Sequence, residues 1–182
     1  MRILGIDPGF ASLGYSVVDP DIVMTCLEAG VIRTQKSKNK VLAYVDNMQR
    51  AQVIAAELSR IIKKHEPVLI IVEAESWTRT ASDKLLGIAR GIIYGLAEYN
   101  LIPIEQVQPQ LMRSTLLNKK SASKSELEAW LLTHVLDLEG HLDVLPKGQR
   151  GHAADATGVA VTATRRSELF RVLRRVHKGA AR

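Results

Sequence analysis

The 182-residue sequence predicts one α/β domain: a mixed five-stranded sheet, three antiparallel strands and then two parallel ones, flanked by helices. Three observations carry that expectation. Short apolar runs joined by tight turns open the chain. Two further apolar runs, 68–72 and 102–107, each follow a stretch of helical periodicity. Hydrophobic residues make up 46% of the chain, enough to bury an ordinary core at this length.

The elements follow in order. Ile3-Leu4-Gly5-Ile6-Asp7 reads as a strand ending at a Pro8-Gly9 turn, Leu13–Val18 as a second strand and Ile22–Ile32 as a third. Their short connections make an antiparallel meander. The basic stretch 33–40, RTQKSKNK, reads as a loop. From Val41, the residues Val45, Met48, Ala51, Ala55, Leu58 and Ile62 fall near one helical stripe, which His65-Glu66-Pro67 ends. The run Val68–Val72 suits a strand buried on both faces. Residues 83–99 are helical, Ile102–Val107 is the fifth strand, and Pro109 opens a short helix. Ser123 and Glu126 form a capping box for a helix reaching about Leu138. A polar loop is expected over 139–150, then a helix of small residues from near His152. Residues 1–166 make the main domain, and 167–182 a basic C-terminal helix or tail of it. There Arg171, Arg174, Arg175 and Lys178 face away from Leu169, Val172, Leu173 and Val176.

Composition narrows the function. No run of 18 uncharged apolar residues exists to span a membrane, and Asp7 interrupts any signal-peptide core. A single cysteine, Cys26, excludes an internal disulfide and a Cys-rich zinc site. A cytoplasmic protein without membrane attachment is expected. The chain has 25 Lys+Arg against 19 Asp+Glu; seven of the former and two of the latter lie beyond residue 150. A basic end on a nearly neutral body points to a polyanion, nucleic acid above all; the plainer reading is a solvated tail with surplus arginine.

The chemistry should sit at one sheet end. Asp7 ends the first strand and Glu73 ends the run Leu69–Val72, so neighbouring strands would present two carboxylates side by side. Glu75 would share the face of Glu73; Glu73 is the preferred ligand because it directly follows the apolar run. His152 and Asp155, three apart, share a helix face. Carboxylates gathered without a cation would be driven toward protonation, and oxygen donors favour Mg²⁺ or Mn²⁺. Each residue has a plainer reading: Asp7 as a turn former, Glu73 as a solvated strand end, His152 as a helix-start residue, Asp155 as a first-turn acid.

The string Leu4-Gly5-Ile6-Asp7-Pro8-Gly9 with Gly14-Tyr15, the strand ending in Glu73, Leu86-Gly87-Ile88-Ala89-Arg90-Gly91, Ser123-Lys124-Ser125 and His152-Ala153-Ala154-Asp155-Ala156 occur in an order that resembles the RuvC-type Holliday-junction resolvases, in a phage or divergent form. The resemblance spans residues 2 to about 164. It implies a ribonuclease H-like fold and a divalent-metal-dependent endonuclease that cuts four-way DNA junctions as a homodimer. It also implies a metal and catalytic set of Asp7, Glu73, His152 and Asp155, with Lys124 beside it offsetting phosphate charge. Two Mg²⁺ or Mn²⁺ ions about 4 Å apart would be bridged by Asp7. His152, where many members have an acid, would ligate the second ion or move a proton. DNA contacts are expected from Trp77 as a stacking wedge, from Arg79, Lys84, Arg113, Lys119 and Lys120, and from Phe10 after the turn. The basic stretches would form DNA tracks with steep salt dependence.

Gly87, Gly91 and Gly95 recur at intervals of four on the 83–99 helix, each costing about 1 kcal/mol against alanine, so another backbone should approach there. The sheet or a second copy of the helix would serve; the resemblance implies the second. Three alternatives stand: a sugar- or acetate-kinase-like domain, a non-catalytic junction-binding protein, and a broader branched-DNA endonuclease for flaps, forks and three-way junctions. A branch-migration helicase partner is not readable from the sequence.

Overall fold

The computed structural model describes residues 1–74 and 83–180. Strands β1 (Ile3–Asp7), β2 (Ser12–Asp19), β3 (Thr25–Arg33), β4 (Leu69–Glu73) and β5 (Ile104–Val107) form one sheet in the order β3-β2-β1-β4-β5. β3, β2 and β1 pair antiparallel; β1, β4 and β5 pair parallel. The predicted mixed sheet and its flanking helices are present.

The alternation of side chains along the strands divides the core into two layers. Ile3, Val18, Leu69 and Ile71 face one side. They pack with residues of α3 (Pro109–Leu117), α4 (Lys124–His134), α5 (Leu138–Asp143), α6 (Lys147–Arg166) and α7 (Glu168–Ala180), among them the buried Phe170. Leu4, Ile6, Val17, Ile70 and Val72 face the other side, against α1 (Ala43–His65) and α2 (Asp83–Tyr99).

Some boundaries, and the buried face of α1, differ from expectation. β3 begins at Thr25, because Ile22 is 98% exposed in a turn outside the sheet. The buried face of α1 is carried by Ile54, Leu58, Ile61 and Ile62, while Met48 is exposed. The first turns of α1 bury polar Asp46 and Arg50 instead of an apolar stripe. α4 stops at His134, and the expected polar loop 139–150 contains α5 and the start of α6, which follows Pro146. The polar first turns of α6 lack the apolar period that marks a helix in sequence. His152 and Asp155 therefore lie inside α6, and the helix-start reading of both is excluded.

α6 lies unusually close to the sheet. A Cβ at Gly5 would stand 2.0 Å from the Ala156 carbonyl oxygen, and one at Gly14 would stand 2.2 Å from that of His152. Only glycine permits that approach. The matching face of α6 is small-sided and buried: Ala153, Ala156, Val159, Ala160 and Ala163.

Candidate active site

Ile6 pairs with Val72 in parallel register, so Asp7 and Glu73 leave adjacent strands at the same sheet end. α6 brings Asp155, 3% exposed, over the same point. One carboxylate oxygen from each of Asp7, Glu73 and Asp155 lies within 4.8 Å of the others. Among the described residues this is the group of acids placed to hold a metal ion. His152 stands beside the trio, its Nδ1 2.6 Å from Asp7 Oδ2. The capping box of α4, in which Ser123 and Glu126 bond each other's backbone, sets the first helical residue, Lys124. Its Nζ donates to Asp155 Oδ2 at 2.8 Å.

The electrostatics are those of acids crowded without enough positive charge. Burial pushes the Glu73 carboxyl up to about 8, with the charges of Asp7 and Asp155 adding and those of Lys124 and Arg113 opposing. Burial also raises Asp155, against its bond to Lys124. The hydrogen bond to Asp7 raises His152, partly opposed by burial. The bond to Asp155 raises Lys124. A proton on Glu73, the imidazole on Asp7 and the ammonium on Asp155 thus moderate charge that a divalent cation would neutralise more completely. Oxygen donors on a rigid sheet end suit hard cations of the Mg²⁺ and Mn²⁺ type.

The family-model description "Crossover junction endodeoxyribonuclease RuvC" matches residues 3–163. The chain belongs to the RuvC family. It is 32% identical over 166 residues to the crossover junction endodeoxyribonuclease RuvC of Prochlorococcus marinus (strain MIT 9313), covering 89% of this chain and 97% of that one. It is 34% identical over 171 residues to that of Synechococcus sp. (strain CC9311), with the same coverage. Among solved structures, the Thermus thermophilus RuvC in complex with Holliday junction substrate superposes with a TM-score of 0.71 at 23% identity, covering 90% of this chain and 93% of that one. The fowlpox virus resolvase, solved with Holliday junction DNA, superposes at 0.55 and 12% identity, covering 91% and 97%. These two show a shared fold. The RuvC model ends before α7, so that helix lies beyond the matched segment.

The expected residues other than Phe10 fall into three groups. Asp7, Glu73, His152, Asp155 and Lys124 meet at one point, and the charge of Arg113 on α3 partly opposes the rise of both Glu73 and Asp155. Lys84, Lys119 and Lys120 are exposed, and Lys119 pairs with Glu126 at 2.7 Å. Trp77, Arg79 and Glu75 lie outside the described residues.

Phe10 does not contact DNA, contrary to the expectation from sequence. Its ring is 5% exposed in the core beneath the Arg50 guanidinium, 4.5 Å from the ring centre, so it has no surface for DNA. An aromatic residue after a turn looks exposed in sequence; here it anchors the turn.

One residue of the site had no role assigned to it from sequence. Arg90, buried on α2, donates from Nη2 to the Glu73 carbonyl at 2.9 Å and from Nη1 to the Tyr94 hydroxyl at 3.2 Å. Gln106 of β5 also donates to that hydroxyl. Arg90 thereby ties the end of β4 to α2. Its place in Ala89-Arg90-Gly91 was the available signal, but a bond to a backbone carbonyl has no partner side chain to search for.

The glycine stripe of α2 also departs from one of its two readings. A Cβ at Gly87, Gly91 or Gly95 would meet nothing within 4 Å, so the sheet is not what these glycines accommodate. The sheet is met by Ala89, Ile93 and Ala97. No helix among the described residues is long and apolar enough to cross a membrane.

Proposed function

We propose that the chain is a metal-dependent endonuclease that resolves four-way DNA junctions by paired nicks in a homodimer. The observation that carries the reading is the convergence of Asp7, Glu73 and Asp155, remote in sequence, within 4.8 Å at the carboxyl ends of two parallel strands. Family membership supplies the substrate class, through relatives named crossover junction endodeoxyribonucleases.

Asp7, Glu73 and Asp155 would hold two divalent cations, Mg²⁺ or Mn²⁺. Bound there, the cations would supply Lewis acidity toward a phosphodiester and a more acidic water. Glu73 must release its proton to ligate, which couples metal uptake to rising pH. Lys124 would exchange Asp155 for the scissile phosphate and offset its growing charge. His152, oriented by Asp7 through Nδ1, would ligate or move a proton at the site's edge. Arg113 would meet the DNA backbone close by, and Lys84, Lys119 and Lys120 farther out; Trp77 and Arg79 keep their expected DNA contacts. Residues 1–166 would be the nuclease domain and 167–182 its basic appendage, in a cytoplasmic protein.

The homodimer reading draws support from α2. Gly87, Gly91 and Gly95 give that helix a flat outer face open to space, and a second copy of the helix would use it.

Synthetic four-way, three-way, flap and linear DNAs, each with Mg²⁺, Mn²⁺ or chelator, test the reading. Metal-dependent cleavage of the four-way junction above the others is expected. Equal cutting of every branch would mean a broad branched-DNA nuclease. Binding without cleavage would mean a junction-binding protein.

A further inference from the structure

We infer that residues 33–48, the β3–α1 connection with the first turns of α1, form a second DNA-binding surface that takes the phosphate backbone of a duplex arm. The inference deepens the nuclease reading and rests on it.

Position is the first argument. Arg33 pairs with Ser12 on β2, and Gly14 of β2 pairs with Asp7. The connection therefore leaves the sheet at the carboxylate end, two strands away, about 10 Å in the sheet plane. A duplex approaching the carboxylates is wide enough to reach it.

Attachment is the second. The Thr34 amide donates to the Ala11 carbonyl, and its hydroxyl donates to the Phe10 carbonyl. Arg50 Nε donates to Thr34 Oγ1 at 3.0 Å while its guanidinium covers the Phe10 ring. Asp46 accepts from the Ser37 amide at 2.8 Å and pairs with Arg50. The connection is thus bolted to the turn that follows Asp7. Polar groups fill the place where an apolar stripe on α1 was expected, and they fix this surface relative to the catalytic strand.

Surface chemistry is the third. Arg33, Lys36, Lys38 and Lys40 are exposed, and no acid occurs between Glu28 and Asp46. Asp46 is already engaged by the two groups just named. A notch of about 240 Å³ is lined by Arg33, Gln35, Ser37, Gln49 and Arg50 together with Asp46, whose carboxylate is the one just described as engaged; the rest of its polar lining is rich in donors for phosphate oxygens. Tyr44, 71% exposed on the same turns, offers its ring and hydroxyl to the sugar-phosphate backbone. Four exposed cations against one engaged acid, beside the cutting site, select DNA over a protein partner.

The test uses the full chain carrying Asp7→Asn, so that substrate stays intact. Lys36, Lys38 and Lys40 are changed together to Gln, and in a second protein together to Arg. Affinities for the four-way junction and for plain duplex are measured from 50 to 200 mM salt, with melting curves to confirm folding. The Gln protein is expected to bind both DNAs more weakly, and its log–log salt slope should shrink by about 2–3, at about 0.9 for each phosphate no longer neutralised. The Arg protein should keep the slope, and Tyr44→Ala should weaken binding without changing it. An unchanged slope in the Gln protein overturns the inference and leaves the surface to solvent or to a protein. Loss of binding in the Arg protein as well would overturn it in favour of a structural role. Failure of the nuclease reading is seen separately, as wild-type protein that cuts no branched DNA. A parent that binds no DNA overturns both.

Discussion

Two sets of glycines in this chain do opposite things. Gly5 and Gly14 sit on the central strands, where a Cβ would collide with the backbone of α6. Gly87, Gly91 and Gly95 sit on the outer face of α2, where a Cβ would meet nothing. The first set is fully accounted for inside one chain: it lets α6 settle on the sheet and carries Asp155 and His152 to Asp7. The second set costs helix stability and gains no contact among the described residues. The comparison teaches that a glycine's role is read from what a side chain would hit, and that an unexplained glycine face points outside the molecule.

The largest effect is expected from breaking the first set. Gly14→Ala pushes a methyl against the His152 carbonyl, which neither strand nor helix can yield cheaply. A displacement of about 1 Å at the site should lower junction cleavage about 100-fold, measured in single-turnover assays, even where the protein still folds. Full activity in that variant would show that α6 need not lie so close.

Breaking the second set should change assembly and not folding. Gly91→Leu has open space in the single chain, so its circular dichroism should match wild type. Its solution mass, by light scattering, should fall from dimer to monomer. A dimer that survives would place the interface elsewhere.

A smaller effect is expected where the two regions touch. Arg90→Ala removes the bond from α2 to the Glu73 carbonyl. Metal supporting the reaction should be needed at about 10-fold higher concentration, in line with loss of a group that orients a ligand, and Arg90→Lys should recover part of it. An unchanged metal requirement would make Arg90 only a packing residue.

The smallest effect concerns stability. Without metal, Glu73 holds its proton up to about pH 8 when folded, whereas the unfolded chain releases it near 4.5. Between those values the folded state binds more protons, so wild-type stability falls as pH rises. Glu73→Gln removes that dependence. In chelator it should melt a few degrees above wild type at pH 8, with the gap closing toward pH 4.5.

The sheet was legible in sequence because its strands carry their signal in their own residues. Leu69–Val72 is buried on both faces and continuously apolar, and Glu73 marks where burial ends. The capping box before Lys124 was legible for the same reason, since both partners lie within four residues. Phe10 looks exposed in sequence because its burial comes from distant segments, the core cluster it joins and Arg50 over its ring, forty residues away. The start of α6 was missed because Lys147-Gly148-Gln149-Arg150 is polar, and the packing that justifies the helix begins only at Ala153. The exposed start of α1 gave a false apolar stripe because the real contacts there are polar. Local chemistry could be read directly, whereas contacts between distant segments needed the fold.

Junction cleavage as proposed requires Asp7, Glu73 and Asp155 to act as one cation-binding site. Asp7→Asn tests it most directly, with Mn²⁺ binding measured by calorimetry alongside junction binding and cutting. The variant should bind the junction as wild type does while losing Mn²⁺ binding and cleavage together. Cleavage at the wild-type rate would contradict the account.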